Sequence, residues 1–129
     1  MDLILAWHFN DESQIESLLK EGTDPNYQNL IGDTLLHKAS KKGNLDVVKI
    51  LLKYKAHVNI QNNCGDTPLH EASYANRMEV VDYLLSSGAN YTIQNKNGRT
   101  PKEIALYYGY NTTVYDKYTP FLINDTSSL

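Results

Sequence analysis

The chain has 129 residues, 41% of them hydrophobic and 21% charged, which is one domain or less with enough charge to stay in water. Its net charge of −3 argues against nucleic acid, whose phosphates select a basic footprint. One cysteine, Cys64, excludes an internal disulfide framework and fits a reducing compartment. The N-terminal run Leu3-Ile4-Leu5-Ala6-Trp7 is too short for a signal-peptide core with its cleavage site, and no apolar run approaches membrane-spanning length. These features predict a cytoplasmic or nuclear protein with no membrane contact. The acceptor-like triplets Asn111-Thr112-Thr113 and Asn124-Asp125-Thr126 are read as chance matches, since nothing else suggests secretion.

A 33-residue period runs through the chain. Gly32-Asp33-Thr34-Leu35-Leu36-His37-Lys38-Ala39 returns as Gly65-Asp66-Thr67-Pro68-Leu69-His70-Glu71-Ala72 and, less closely, as Gly98-Arg99-Thr100-Pro101-Lys102-Glu103-Ile104-Ala105. Leu18-Leu19, Leu51-Leu52 and Leu84-Leu85 keep the same step, as do Gln28-Asn29, Gln61-Asn62 and Gln94-Asn95. Self-similarity of this length marks stacked supersecondary units.

Residues 1–29 lack the opening motif, but Leu3 and Ala6 fall in the columns of Leu36 and Ala39. They predict a first helix from Asp2 to Phe9. Asn10, Gly43, Asn76 and Gly109 share a column, and only Gly and Asn readily take the left-handed conformation that ends a helix. A second helix follows in each unit, with Ile15-Leu18-Leu19, Val48-Leu51-Leu52 and Val81-Leu84-Leu85 on one face. Gly22 and Gly88 close it, whereas Lys55 takes that column in the second unit. Thr67 and Thr100 read as N-caps, with Pro68 and Pro101 at the first helical position, where a missing N–H costs nothing. Gly and Asn between the units predict tight turns, as at β-hairpin tips.

The ends differ from the middle. Leu45 and Met78 give way to Glu12 and Asn111, Val47 and Val80 to Gln14 and Thr113, and Ile50 and Tyr83 to Ser17 and Asp116. Polar outer sides at both ends predict a capped array of four units, about 1–29, 30–62, 63–95 and 96–118, and a tail over 119–129. Pro120 stops the last helix, and the ending Thr126-Ser127-Ser128-Leu129 matches the short C-terminal pattern that PDZ domains bind.

Helix, turn, helix and hairpin at this period, opening on Thr-Pro-Leu-His, resembles the ankyrin repeat family. The third unit matches best, through Asp66-Thr67-Pro68-Leu69-His70 and Val80-Val81-Asp82-Tyr83-Leu84-Leu85-Ser86-Ser87-Gly88-Ala89-Asn90. The resemblance implies an all-α solenoid of four helix-turn-helix units with short β-hairpin tips, acting as a protein-binding module. It also implies that His37 and His70 hydrogen-bond the threonine and nearby backbone, bracing adjacent units. Zinc would need several ligands converging within ~2.0–2.3 Å. His8 and His57 lie in unrelated columns, and Cys64 has no predicted histidine partner. No metal or cofactor is expected. The chain has no Gly-rich phosphate loop and no nucleophile elbow, so no catalytic residue is assigned.

In the family, first helices and hairpin tips line a concave face. The columns free to vary there are Leu30, Ile31, Asp33, Lys41 and Lys42 in the second unit, and Asn63, Cys64, Asp66, Tyr74 and Ala75 in the third. In the fourth they are Lys96, Asn97, Arg99, Tyr107 and Tyr108, and His8 and Phe9 extend the face into the first. Tyrosine combines area, few rotors and a polar tip, which favours interfaces. Tyr74, Tyr107 and Tyr108 either meet a partner or cover the end of the core. The resemblance thus implies a monomer that binds a partner protein by scaffolding or masking. Rival readings are a small stand-alone inhibitor, as in four-repeat inhibitors of cyclin-dependent kinases, and a small-ligand protein or enzyme. Those kinase inhibitors have a shortened helix where Leu35 to Lys42 is full length. Asn26 stands at the spacing that an asparaginyl hydroxylase modifies in some ankyrin proteins.

Overall fold

The computed structural model describes residues 2–119. Pro120, the rest of the predicted tail, the Asn124 triplet and the Thr126-Ser127-Ser128-Leu129 ending lie outside the described residues. Among the described residues eight helices follow in pairs: α1 (Leu3–His8) and α2 (Glu12–Lys20), α3 (Leu35–Lys42) and α4 (Leu45–Lys53), α5 (Pro68–Tyr74) and α6 (Met78–Ser86), α7 (Pro101–Tyr107) and α8 (Thr113–Asp116). First helices pack in the order α1, α3, α5, α7 and second helices in the order α2, α4, α6, α8, giving two layers. Among the described residues there is no strand, and each tip is a hydrogen-bonded turn.

Local chemistry sets the helix limits. The side chains of Thr34, Thr67 and Thr100 accept from the backbone N–H of His37, His70 and Glu103, and Asp2 caps α1 by accepting from Leu5 N at 2.9 Å. Pro68 and Pro101 occupy the first turn, as their column predicts. Beyond the first helices the chain turns left-handed at Asn10, Gly43, Asn76 and Gly109, with φ of 54°, 79°, 58° and 75°. Lys55 holds φ 72° where Gly22 and Gly88 stand in other units, a strain of roughly 1 kcal/mol for a residue with a Cβ.

The core lies between the layers. Ile15, Val48, Leu51, Val81 and Leu84 are fully buried, and so are Ala6, Ala39, Ala72 and Ala105, whose small size lets first helices approach closely. Truncating Leu51 or Leu84 removes atoms from a closed site, a change worth ~2–5 kcal/mol. In the outermost columns Val47 and Val80 are buried and Ser17, Thr113 and Asp116 exposed, whereas Leu45, Met78, Ile50 and Tyr83 are only half-buried, as Glu12 and Gln14 are.

The outer side is stitched by charge. Lys53 and Tyr54 both donate to Glu16, at 2.9 and 3.0 Å. Tyr118 donates to Asp82 at 2.6 Å beside Lys117 at 3.0 Å. Between these clips the Lys49 ammonium sits 5.5 Å over the Tyr83 ring. Asp82 is therefore tied and half-buried, not the freely solvated charge its position on a second helix suggests.

The last unit departs from the register. The 33-residue step places Val114 with Val81, but Tyr115 is the buried residue and Val114 only half-buried. Asn111 Oδ1 accepts from Thr113 N, and α8 is a single turn. One residue of slip turns a helix by about 100°, enough to swing Tyr115 inward. Its hydroxyl pairs with buried Ser73, and burial pushes the phenol up to about 12. Ser40, one unit earlier in the same column, has a buried hydroxyl with no hydrogen-bond partner among the described residues. Ser73→Ala should therefore lower stability by about 1–3 kcal/mol by orphaning Tyr115, while Ser40→Ala should leave it equal or higher. Urea unfolding of both variants checks this, and the reverse order contradicts the placement of Tyr115.

Candidate binding groove

Each tip is built round one asparagine. Asn29, Asn62 and Asn95 accept through Oδ1 from the backbone N–H groups two and four residues on, and their own N–H closes the turn on Asp33, Asp66 and Arg99. Successive tips are bonded to each other: Asn63 N donates to Ile31 O and Lys96 N to Cys64 O, both at 3.0 Å. Gly32 makes this approach possible. It has φ 82°, and a Cβ there would meet Asn63 N at 2.7 Å. Asn62 Nδ2 also donates back to Asp33 and Asn95 Nδ2 to Asp66, so both aspartates serve the stack as well as the surface.

The histidines lie beneath the tips. Thr34 N donates to His37 Nδ1 at 3.1 Å, which leaves that nitrogen unprotonated. Nε2–H then donates to the carbonyl of Asp66 at 2.8 Å, in the next unit. His70 repeats this with Thr67 and the carbonyl of Arg99 at 2.9 Å. Burial holds both rings below the ordinary value of 6.5, against the opposing pull of those carbonyl contacts. Asn26 has a structural contact too, accepting from His57 N at 2.8 Å.

Between the tips and the ends of α3, α5 and α7 lies a groove of about 510 Å³. Of the residues singled out by column, it brings together Ile31, Asp33, Lys41, Asn63, Asp66, Tyr74, Asn97, Arg99 and Tyr108, with Cys64. Phe9, Leu30, Lys42, Lys96 and Tyr107 lie outside its lining. Leu30 is nonetheless 98% exposed and Phe9 70% exposed. Tyr107 and Tyr108 are exposed, and the core end is covered by Tyr115 instead. Tyr74 and Tyr108 meet edge to face at 5.3 Å, and Tyr108 stacks on Tyr110 at 5.7 Å.

Glu71 is one of the groove residues that the concave columns did not single out, with Asn62, His70, Asn95 and Ile104. It is half-buried on α5 and accepts from Asn62 Nδ2 at 3.2 Å. Burial, and then Asp66 and Asp33 nearby, push its carboxyl up to about 7. Its column holds Lys38 and Ile104 in neighbouring units, so an acid there is particular to the third unit. A second cavity, of about 530 Å³, is lined by Leu3, Ile4, Pro25, Tyr27 and Leu35. Its two carboxylates, Asp2 and Asp24, accept from the backbone N–H groups of Leu5 and Asn26. Among the described residues no group of three or more His, Cys, Asp or Glu side chains is placed to hold a metal ion. No described helix is long and apolar enough to cross a membrane.

An acid raised on folding stabilises the fold fully below about 4.5 and loses that contribution as pH rises through about 7. Glu71→Gln keeps the acceptor for Asn62, so its melting temperature should match the parent near pH 4.5 and exceed it at about pH 8. A difference that does not vary with pH rules out the perturbed carboxyl. The histidines run the other way: neutral rings contribute in full above 6.5, and the contribution falls away as pH drops below it. His70→Ala should lower stability at neutral pH while zinc or chelator changes neither protein. Stoichiometric zinc binding that the variant loses would make the ring a ligand.

The family model described as Ankyrin repeats (3 copies) matches residues 3–95, covering α1 to α6 and stopping before α7. No curated protein matches the chain. The match covers most of the sequence, and the all-helical fold is consistent with it. The chain belongs to the ankyrin repeat family.

Proposed function

We propose that this protein is a monomeric, non-catalytic interaction module whose four units form a curved solenoid, with hairpin-like tips, that binds a partner protein on its concave side. Ankyrin repeats are generally protein–protein interaction modules, and the family is typically non-catalytic. The observation that carries the reading is the collection of exposed apolar and aromatic side chains on one side. Ile31 is 59% exposed, Tyr74 46% and Tyr107 65%, on tips and first-helix ends. Water penalises such a patch unless a partner covers it. The opposite side offers residues tied to one another, such as Glu16 with Lys53 and Tyr54. The mode of action is occupancy, by scaffolding or by masking the partner's surface, in the cytoplasm or nucleus, with neither nucleic acid nor membrane as the ligand. The narrower reading as a stand-alone kinase inhibitor gains nothing from α3, which keeps eight residues.

Interface energy concentrates in a few anchors worth ~2 kcal/mol or more on truncation. In binding assays with a captured partner, Tyr74→Ala and Ile31→Ala should each weaken affinity about tenfold or more and leave the circular dichroism unchanged. Lys49→Ala and Glu79→Ala, on exposed parts of the second helices, should bind as the parent does. Asp82 is a poor control, because its carboxylate holds Tyr118 and Lys117. Loss of binding in Lys49→Ala with none in Tyr74→Ala or Ile31→Ala moves the interface to the other side.

A further inference from the structure

We propose that the groove seats an arginine side chain of the partner, held on Glu71 between Asp33 and Asp66 and flanked by Tyr74 and Tyr108. The inference rests on the concave-side reading above and names the chemistry that side takes.

The groove is open to solvent and bounded by three tips and by the ends of α3, α5 and α7. Among the described residues Ile31, Tyr74 and Tyr108 remain 59%, 46% and 47% exposed, which leaves apolar area open to an occupant. An occupant must match that area and also the charge beneath it.

Three carboxylates line the groove, against two cations. Both cations are engaged with rings: the Lys41 ammonium lies 5.8 Å over Tyr74 and the Arg99 guanidinium 4.5 Å over Tyr107. Among the described residues none of the three carboxylates is in a salt bridge. Asn62 Nδ2 ties one oxygen each of Asp33 and Glu71, and Asn95 Nδ2 one of Asp66. The second oxygen of each has no protein hydrogen-bond partner among the described residues, and none of the three is sealed from water. A partner that covers the groove strips that water away. Desolvated carboxylates without a counterion are costly, so a neutral or acidic occupant is disfavoured where one cation restores neutrality.

Arginine answers the geometry better than lysine. Its planar fork carries five donors, which can serve oxygens of more than one carboxylate, and its flat face stacks on a phenol ring. Lysine brings a compact, strongly hydrated charge with three donors. The carboxyl of Glu71 is raised first by burial and then by Asp66 and Asp33, which stand close enough to share one cation with it.

The test uses acetylated, amidated peptides with arginine at the centre and leucine, isoleucine or phenylalanine on either side. Matched peptides carry citrulline, which keeps the shape and drops the charge. Affinities come from fluorescence anisotropy and the binding site from backbone amide shifts of the full chain. Arginine peptides should bind about tenfold or more tightly than citrulline peptides and shift amides of residues 62–66 and α5. Glu71→Gln and Asp66→Asn should each remove most of that advantage, with circular dichroism showing an intact fold. Equal affinity of both peptides in the groove overturns the arginine assignment and leaves the concave-side reading standing. Shifts confined to α4 and α6 overturn both. No saturable binding of the arginine peptides also overturns the arginine assignment, while the alanine variants of the previous subsection still decide the side.

Discussion

His37 and His70 each hold two consecutive units together through one ring, and the rest of the structure is arranged round that spacing. Nδ1 is fixed by the threonine that starts its own helix, and Nε2 reaches the carbonyl of the next tip at 2.8–2.9 Å. The imidazole is rigid, so the distance from a helix start to the following tip is set by its length. Burial at 1% exposure keeps water from competing for either bond and keeps the ring neutral, which the donor–acceptor pattern requires. Among the described residues no further tip follows the fourth unit, and Glu103 takes the histidine's column. Its carboxylate closes the capping box on Thr100 N at 2.9 Å and reaches no further.

Once the helix starts are spaced, the tips fall into contact and can bond one another. Their backbone bonds, the asparagine Oδ1 acceptors and the close approach at Gly32 depend on the same separation. The groove is the space left when this ladder stands over the ends of the first helices. Its polar lining therefore has two duties. Asp33 and Asp66 give one oxygen to the stack and present the other outward, and Asn62 holds Asp33 and Glu71 through a single amide. The surface proposed to meet a partner is held by the bonds that hold the repeats together, so little ordering remains to be done on binding.

The outer layer works differently. Its clips, Glu16 with Lys53 and Tyr54 and Asp82 with Lys117 and Tyr118, use exposed or half-buried charges in water. Such pairs are worth little individually. They orient one second helix on the next, while the buried aliphatic seam of Ile15, Val48, Leu51, Val81 and Leu84 supplies the driving force.

By itself the sequence determined the unit length, the order of the paired helices, the threonine caps, the left-handed turns at Asn10 and Asn76, and the polar outer columns. Each of these depends on residues close along the chain or on a column that returns every 33 positions. Only the tertiary structure decided what happens where units meet unequal neighbours. Tyr115 shares a column with Glu16, Lys49 and Asp82, which gives no sign of a buried residue. It is buried because α8 is one turn long and slips in register. Asp82 reads as a solvated charge until Tyr118 and Lys117 come back against it. Glu71 differs from Lys38 and Ile104 in its column, but an odd acid on a helix carries no meaning until Asp33 and Asp66 arrive from tips 38 and 5 residues away. Repetition makes local geometry readable, whereas burial and charge depend on what each unit packs against, and no two units here have the same neighbours.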